Sequence, residues 1–162
     1  MIIEKMTMRD KNISKISISS RKLDKIKVFK ILELLDIDNM IMYIDDEYDD
    51  DFFKVLNKLN VDYIKNFDAT FNGIFLRLDK EKYLKLFEYT KEQDILISNY
   101  IVKDNWRFYI NVFTNEIFSG ILSQDTDCIL EIDDYEGIIN VRFWKDKFNR
   151  KDLVNSLKEI LC

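Results

Sequence analysis

Histidine is absent from this chain. Its absence excludes Ser-His-Asp triads, Cys-His pairs, the HExxH zinc motif and histidine-bearing deaminase sites. Two cysteines, Cys128 and Cys162, are too few for a structural zinc cluster of the usual kind. The only glycines are Gly73, Gly120 and Gly137, and they stand apart, so neither a Walker loop nor a dinucleotide fingerprint is present. Proline is missing altogether, and Ala69 is the sole alanine. With lysine far outnumbering arginine, this bias matches an AT-rich genome, bacterial or phage. No apolar run approaches the roughly 20 residues that a membrane helix needs. The first residues carry no continuous apolar segment of a secretory signal. A cytoplasmic protein without membrane contact is expected.

Among the 162 residues, 47% are hydrophobic and 34% charged, the balance of a folded globular chain. One domain spanning residues 1–162 is expected, with residues 1–19 either loose or an edge strand.

The strongest structural signal runs from Asp94 to Trp144, where five short strands follow one another. Phe108, Ile110 and Val112 alternate with polar or aromatic residues, and Ile117, Ser119 and Ile121 repeat the pattern beyond Thr114-Asn115. Cys128, Leu130 and Ile132 alternate with Ile129 and Glu131, and Ile139, Val141 and Phe143 with Asn140 and Arg142. A period of two marks a strand with one buried face. A two-residue turn at Thr114-Asn115 pairs Val112 with Ile117, Ile110 with Ser119 and Phe108 with Ile121. It sets Tyr109 opposite Gly120, where a ring covers bare backbone. The loop Asp134-Tyr135-Glu136-Gly137 offers a glycine for positive φ, and it pairs Ile132 with Ile139, Leu130 with Val141 and Cys128 with Phe143. A slip of one residue would turn an apolar set toward water. Ile95 to Val102 is apolar on both sides apart from Ser98 and Asn99, as suits a strand covered on both faces. Cys128 falls on the inward side and reads as a buried structural thiol.

Around this meander the periodicity predicts amphipathic helices. One runs from about Arg21 to Leu35, capped by Ser20, with Leu23, Ile26, Phe29, Leu32 and Leu35 inward. A strand follows at Met40–Ile44. Asp45 or Asp46 then caps a helix with Tyr48, Phe52, Val55, Leu56 and Leu59 on one stripe. Short strands are expected at Val61–Ile64 and Gly73–Leu78. Asp79 caps a helix to about Thr90 that buries Tyr83, Leu84, Phe87 and Leu86. The last helix, about Arg150–Leu161, buries Leu153, Val154, Leu157, Ile160 and Leu161. The expected class is α+β: a mainly antiparallel sheet containing a five-strand meander at about 94–144, packed against three or four amphipathic helices.

Charge is unevenly spread. Residues 1–30 carry a net +6 and residues 31–51 a net −9, within a chain of net −5. Asp45, Asp46, Glu47, Asp49, Asp50 and Asp51 crowd a helix entry. One or two carboxylates there would satisfy the free N–H groups and the helix dipole. Six repel one another. Tyr48 sits among them, and Asp134, Tyr135 and Glu136 form a similar stretch. Carboxylates beside aromatics suit a basic protein partner, the charge steering encounter and the rings anchoring contact. The outer sheet face, with Arg107, Tyr109, Phe113, Phe118, Arg142 and Trp144, is a further candidate surface for self-association, unless a helix covers it. Direct nucleic-acid binding through the basic first segment is disfavoured, because net charge is negative and no interleaved aromatics or RNA-binding motif accompany it.

The remaining chemistry belongs to carboxylates. Asp127, Glu131 and Asp133 share one strand face and are candidate Mg²⁺ ligands for a hydrolase. The lysine that strand-borne nuclease sites place two residues beyond the glutamate is missing, since Asp133 occupies that position.

No motif identifies a family. In composition alone the chain resembles the small acidic immunity proteins that bacteria keep against toxins. It is therefore expected to be a non-enzymatic inhibitor that occludes a basic, toxin- or nuclease-like partner, without cofactor or metal. Its expected contact residues are Asp45, Asp46, Glu47, Tyr48, Asp49, Asp50, Asp51, Asp134, Tyr135 and Glu136. The alternatives are a phage-encoded inhibitor of a host defence protein and the Mg²⁺-dependent hydrolase.

Overall fold

The structure is a computed structural model that describes residues 3–4, 12–20, 23–44, 49–65, 73–90, 94–99, 106, 127–133 and 136–162. Within these residues the chain forms β1 (Ile3–Glu4), β2 (Ile13–Ser19), α1 (Lys25–Leu34), β3 (Asn39–Ile44), α2 (Asp50–Lys58) and β4 (Asp62–Lys65). It continues with β5 (Ile74–Asp79), α3 (Lys80–Thr90), β6 (Asp94–Asn99), β7 (Cys128–Asp133), β8 (Ile138–Trp144) and α4 (Arg150–Leu161). The strands make one sheet in the order β1-β2-β8-β7-β6-β3-β5-β4, and every neighbouring pair is antiparallel. The class is α+β.

The β7–β8 hairpin has the register that the alternation predicts: Ile132 opposite Ile139, Leu130 opposite Val141 and Cys128 opposite Phe143. Gly137 takes φ 67° in its turn, a conformation open to glycine at little cost. The continuous five-strand meander is not formed. β6 pairs directly with β7 on one side and with β3 on the other, leaving no place between β6 and β7 for further strands. The predicted hairpin at 108–122 lies outside the described residues, as does Val102. Ile13–Ser19, expected as loose chain or an edge strand, is a strand one place in from the edge: it pairs along its whole length with β8 on one side and, at Ser17 and Ile18, with the two-residue β1 on the other.

All four described helices pack on one sheet face. Their buried residues, among them Leu32, Phe52, Tyr83, Leu86, Leu153 and Leu157, form a single core with Ile16, Met42, Leu76, Ile97, Leu130, Val141 and Phe143. A second, smaller apolar set, Ile41, Tyr43, Phe75 and Ile129, is buried on the opposite face. Tyr43 opposes Phe75 there, with ring centroids 4.8 Å apart. The runs Met-Ile-Met-Tyr-Ile in β3 and Ile-Phe-Leu in β5 are what two-sided burial requires.

Helix boundaries depart from expectation where several caps compete. Ser20 does not cap α1; it is buried, and its N–H donates to the Gly137 carbonyl at 2.7 Å. Asp24 caps instead, accepting from the Lys27 N–H at 2.8 Å. The buried stripe is Val28, Ile31, Leu32 and Leu35; Ile26, expected inside, stands nine residues, or about two and a half turns, before Leu35, on the opposite side of the helix, and is 67% exposed. Asp49, rather than Asp45 or Asp46, caps α2 by accepting from the Phe52 N–H at 3.0 Å. Asp79 caps α3 as predicted, and Leu84 is only half-buried. In α4, Leu153 and Leu157 are buried while Val154, Ile160 and Leu161 pack partly buried against the core.

Two helices end without glycine. Asp36 (φ 57°) and Asn60 (φ 51°) take left-handed backbone after α1 and α2. In each case paired back-bonds close the last turn: Asp36 and Ile37 donate to Glu33 and Leu32, Asn60 and Val61 to Asn57 and Leu56. Beyond the first of these turns Lys80 joins the start of α3 to the end of α1, 3.2 Å from Asp38 and 3.6 Å from Glu33. Burial alone would lower the Lys80 pKa, but the two carboxylates outweigh it and hold the ammonium above its usual range.

Candidate functional sites at the two ends of the sheet

Register decides which charged groups meet. Ile44 of β3 opposes Ile95 of β6, Ile95 opposes Ile132 of β7, and Ile132 opposes Ile139 of β8. One row of the sheet thus holds the last residue of β3 and the ends of β6, β7 and β8 nearest the β7–β8 turn. The chain therefore leaves β3 after Ile44 and β7 after Asp133 at the same end of the sheet, from strands two spacings, or about 10 Å, apart. Asp94, which sequence reasoning missed, sits at that end opposite Asp133. Directly opposed like charges cost stability. Only the long-range register reveals that pairing.

Of the predicted contact residues, Asp45, Asp46, Glu47, Tyr48, Asp134 and Tyr135 lie outside the described residues. Asp49 is exposed and serves as the α2 cap; Asp50 is exposed; Asp51 pairs with Lys54 at 2.7 Å on the exposed face of the same helix. Glu136 is exposed, and its N–H donates to Asp133 Oδ1 at 2.8 Å. The α1 lysines Lys25 and Lys30 are exposed and, among the described residues, pair with none of these acids. Of the outer-face candidates, Arg142 is buried and Trp144 half-buried; Arg107, Tyr109, Phe113 and Phe118, like Gly120, lie outside the described residues.

The three β7 carboxylates do not share a site. Asp127 and Asp133 bracket the strand, and six residues at about 3.3 Å each set them roughly 20 Å apart. Each is engaged separately. Asp133 accepts from Glu136, Glu131 accepts from Asn140 Nδ2 at 3.0 Å, and Asp127 pairs with Lys147. Asn140 in turn accepts from the Ser17 hydroxyl, so Glu131 ends a polar ladder across β7, β8 and β2. No group of three or more potential metal ligands occurs among the described residues.

Asp127 lies at the other end of the sheet, in a cleft of about 680 Å³ lined by Asn12, Asp127, Trp144, Lys145, Asp146 and Lys147. The turn after β8 builds it. Lys147 N–H donates to the Trp144 carbonyl at 3.0 Å, Trp144 N–H to the Asp127 carbonyl at 3.3 Å, and Lys145 N–H to the Asn12 carbonyl at 2.9 Å. Lys147 Nζ and Asn99 Nδ2 both donate to the same oxygen, Asp127 Oδ1. Asn99 Oδ1 accepts from the Cys128 N–H at 3.2 Å.

Comparison of the chain with protein-family models, with curated proteins and with solved structures finds no match.

Cys128, next to Asp127 in the chain, is fully buried in the core. Burial pushes its thiol from 9.0 up to about 12, against the opposing pull of Lys147. Cys162 is exposed. A thiol reagent is expected to modify Cys162 alone in the folded protein and both cysteines after denaturation, as titration of released chromophore would show. The raised pKa also sets a sign. Below pH 9 the protonated Cys128 contributes its full stability; as pH rises from 9.0 toward 12 the unfolded thiol ionises first and that contribution is lost.

Proposed function

We propose that the protein is a non-enzymatic inhibitor, of the toxin-immunity kind, that covers a basic surface of another protein with its acidic sheet end. One observation carries this reading: β3, which precedes the acidic residues before α2 in sequence, and β7, which precedes the acidic turn, end on the same side of the sheet in the Ile44–Ile95–Ile132 row. Asp94 and Asp133 add opposed carboxylates there. Asp49, Asp50, Asp51 and Glu136 are exposed, so their field reaches solvent. Such a field speeds encounter with a basic partner, by tenfold or more at low salt, and fades as salt rises.

The test is affinity capture from a lysate of the source organism at low and high salt, with the wild-type chain and the Asp49→Asn/Asp50→Asn/Asp51→Asn variant. Asparagine also caps helices, so α2 is retained and stability should stay within about 0.5 kcal/mol. The wild type is expected to retain a basic protein at low salt, and the variant to bind it about tenfold more slowly. Identical capture by both columns would refute the proposal.

A further inference from the structure

Asn99, Asp127, Cys128 and Lys147 form a constellation at the opposite end of the sheet that acidic recognition does not use. An amine and a carboxamide converge on one carboxylate oxygen, since Lys147 Nζ and Asn99 Nδ2 both donate to Asp127 Oδ1. The carboxamide oxygen is held by a backbone donor, the Cys128 N–H, at 3.2 Å. The partners belong to three separate parts of the chain: the last residue of β6, the residue before β7, and the turn after β8. The lysine side chain is only 15% exposed and the aspartate 33%. Asn99 is buried.

A surface salt bridge needs two of these groups. The full set contains what acyl transfer to an amine needs: a nucleophile, an electrophilic carbonyl, a carboxylate able to carry a proton between them, and an N–H donor on the oxygen where charge develops. We infer that Lys147 and Asn99 join through an intramolecular isopeptide bond, with Asp127 as proton carrier.

In the reaction Asp127 takes a proton from the Lys147 ammonium. The freed amine attacks Asn99 Cγ, and the Nζ–Cγ bond forms. The Cys128 N–H stabilises the developing oxyanion on Oδ1. Asp127 returns its proton to Nδ2, the Cγ–Nδ2 bond breaks and ammonia leaves, taking the second Nζ proton as ammonium. One ammonium and one carboxamide become one secondary amide and one ammonium ion; nothing is oxidised or reduced. Holding the groups on one oxygen supplies the effective concentration that an amine and an amide lack in solution. The adjoining cleft gives the ammonia a way out. The product ties the end of β6 to the turn beyond β8 covalently, outside the hydrogen-bond ladder.

The experiment is the intact mass of the purified full chain, followed by peptide mapping. The wild type is expected to be lighter than its sequence by one ammonia, with a branched peptide joining Lys147 to Asn99. Lys147→Arg and Asp127→Ala are expected to restore the full mass. A wild-type mass equal to the sequence after prolonged incubation overturns the inference. So does loss of water instead, which would mean a bond from Lys147 to Asp127. Ammonia loss that persists in Lys147→Arg overturns it too, because that marks a cyclised asparagine elsewhere. The wild-type reading stands even if a variant fails to fold, and it is independent of any partner.

Discussion

Gly73→Ala is expected to lower stability by about 3 kcal/mol, and the melting temperature by roughly 6–12 °C in a domain of this size. A Cβ at this position would lie 2.2 Å from the Ile44 carbonyl oxygen and 2.7 Å from the Tyr43 ring. The ring contact is negotiable, because a side chain can rotate. The carbonyl is not, because Ile44 stands in register with Ile74 and moving it parts β3 from β5. Adding Tyr43→Ala should therefore fail to restore Gly73→Ala, and should subtract further stability of its own. Urea denaturation of the three variants checks this. A Gly73→Ala protein within about 0.5 kcal/mol of wild type would mean that the two strands do not approach so closely.

The same position shows what can be read from residues alone. A tyrosine covering a bare glycine was expected at Tyr109 and Gly120; among the described residues that device occurs at Tyr43 and Gly73, which are thirty positions apart in sequence. Local pattern finds a pair when a short turn joins its strands, and the β7–β8 hairpin was legible in full for that reason. It does not find β3 beside β6, or β6 beside β7, because those pairings are chosen by burial of whole faces rather than by neighbouring residues. Helix caps were half legible. Asp79 had no nearby rival, whereas Ser20 competed with Asp24, and Asp45 and Asp46 with Asp49.

Both sheet-end sites follow the same division. The excess of acid was plain in composition, but that β3 and β7 end on the same side of the sheet is known only from the Ile44–Ile95–Ile132 row. The carboxylates on β7 looked like a set because they share a face. Strand rise alone separates Asp127 from Asp133, and tertiary structure then gives each its own partner. Nothing in the spacing of Asn99, Asp127 and Lys147 hinted that they meet, since the contact needs β6, β7 and the turn after β8 together.

Phe143→Ala is expected to cost about 3–5 kcal/mol, while Ile26→Ala changes stability by less than about 0.5 kcal/mol. Phe143 is fully buried on the helix-bearing face, opposite Cys128 on one side and Ser14 on the other, and its ring meets Phe148 edge-on at 5.5 Å. Truncation removes the transfer energy of the ring and leaves a void that two hydrogen-bonded neighbours prevent the sheet from closing. Phe143→Leu keeps most of the volume and is expected to recover more than half the loss. Ile26 is the decisive contrast. Its hydrophobicity suggests the core, yet it lies about two and a half turns from Leu35, on the far side of α1 from the buried stripe, and is 67% exposed. Denaturant midpoints of the two alanine variants separate the arrangements directly. If Ile26→Ala proved as damaging as Phe143→Ala, α1 would have to present its opposite face to the sheet.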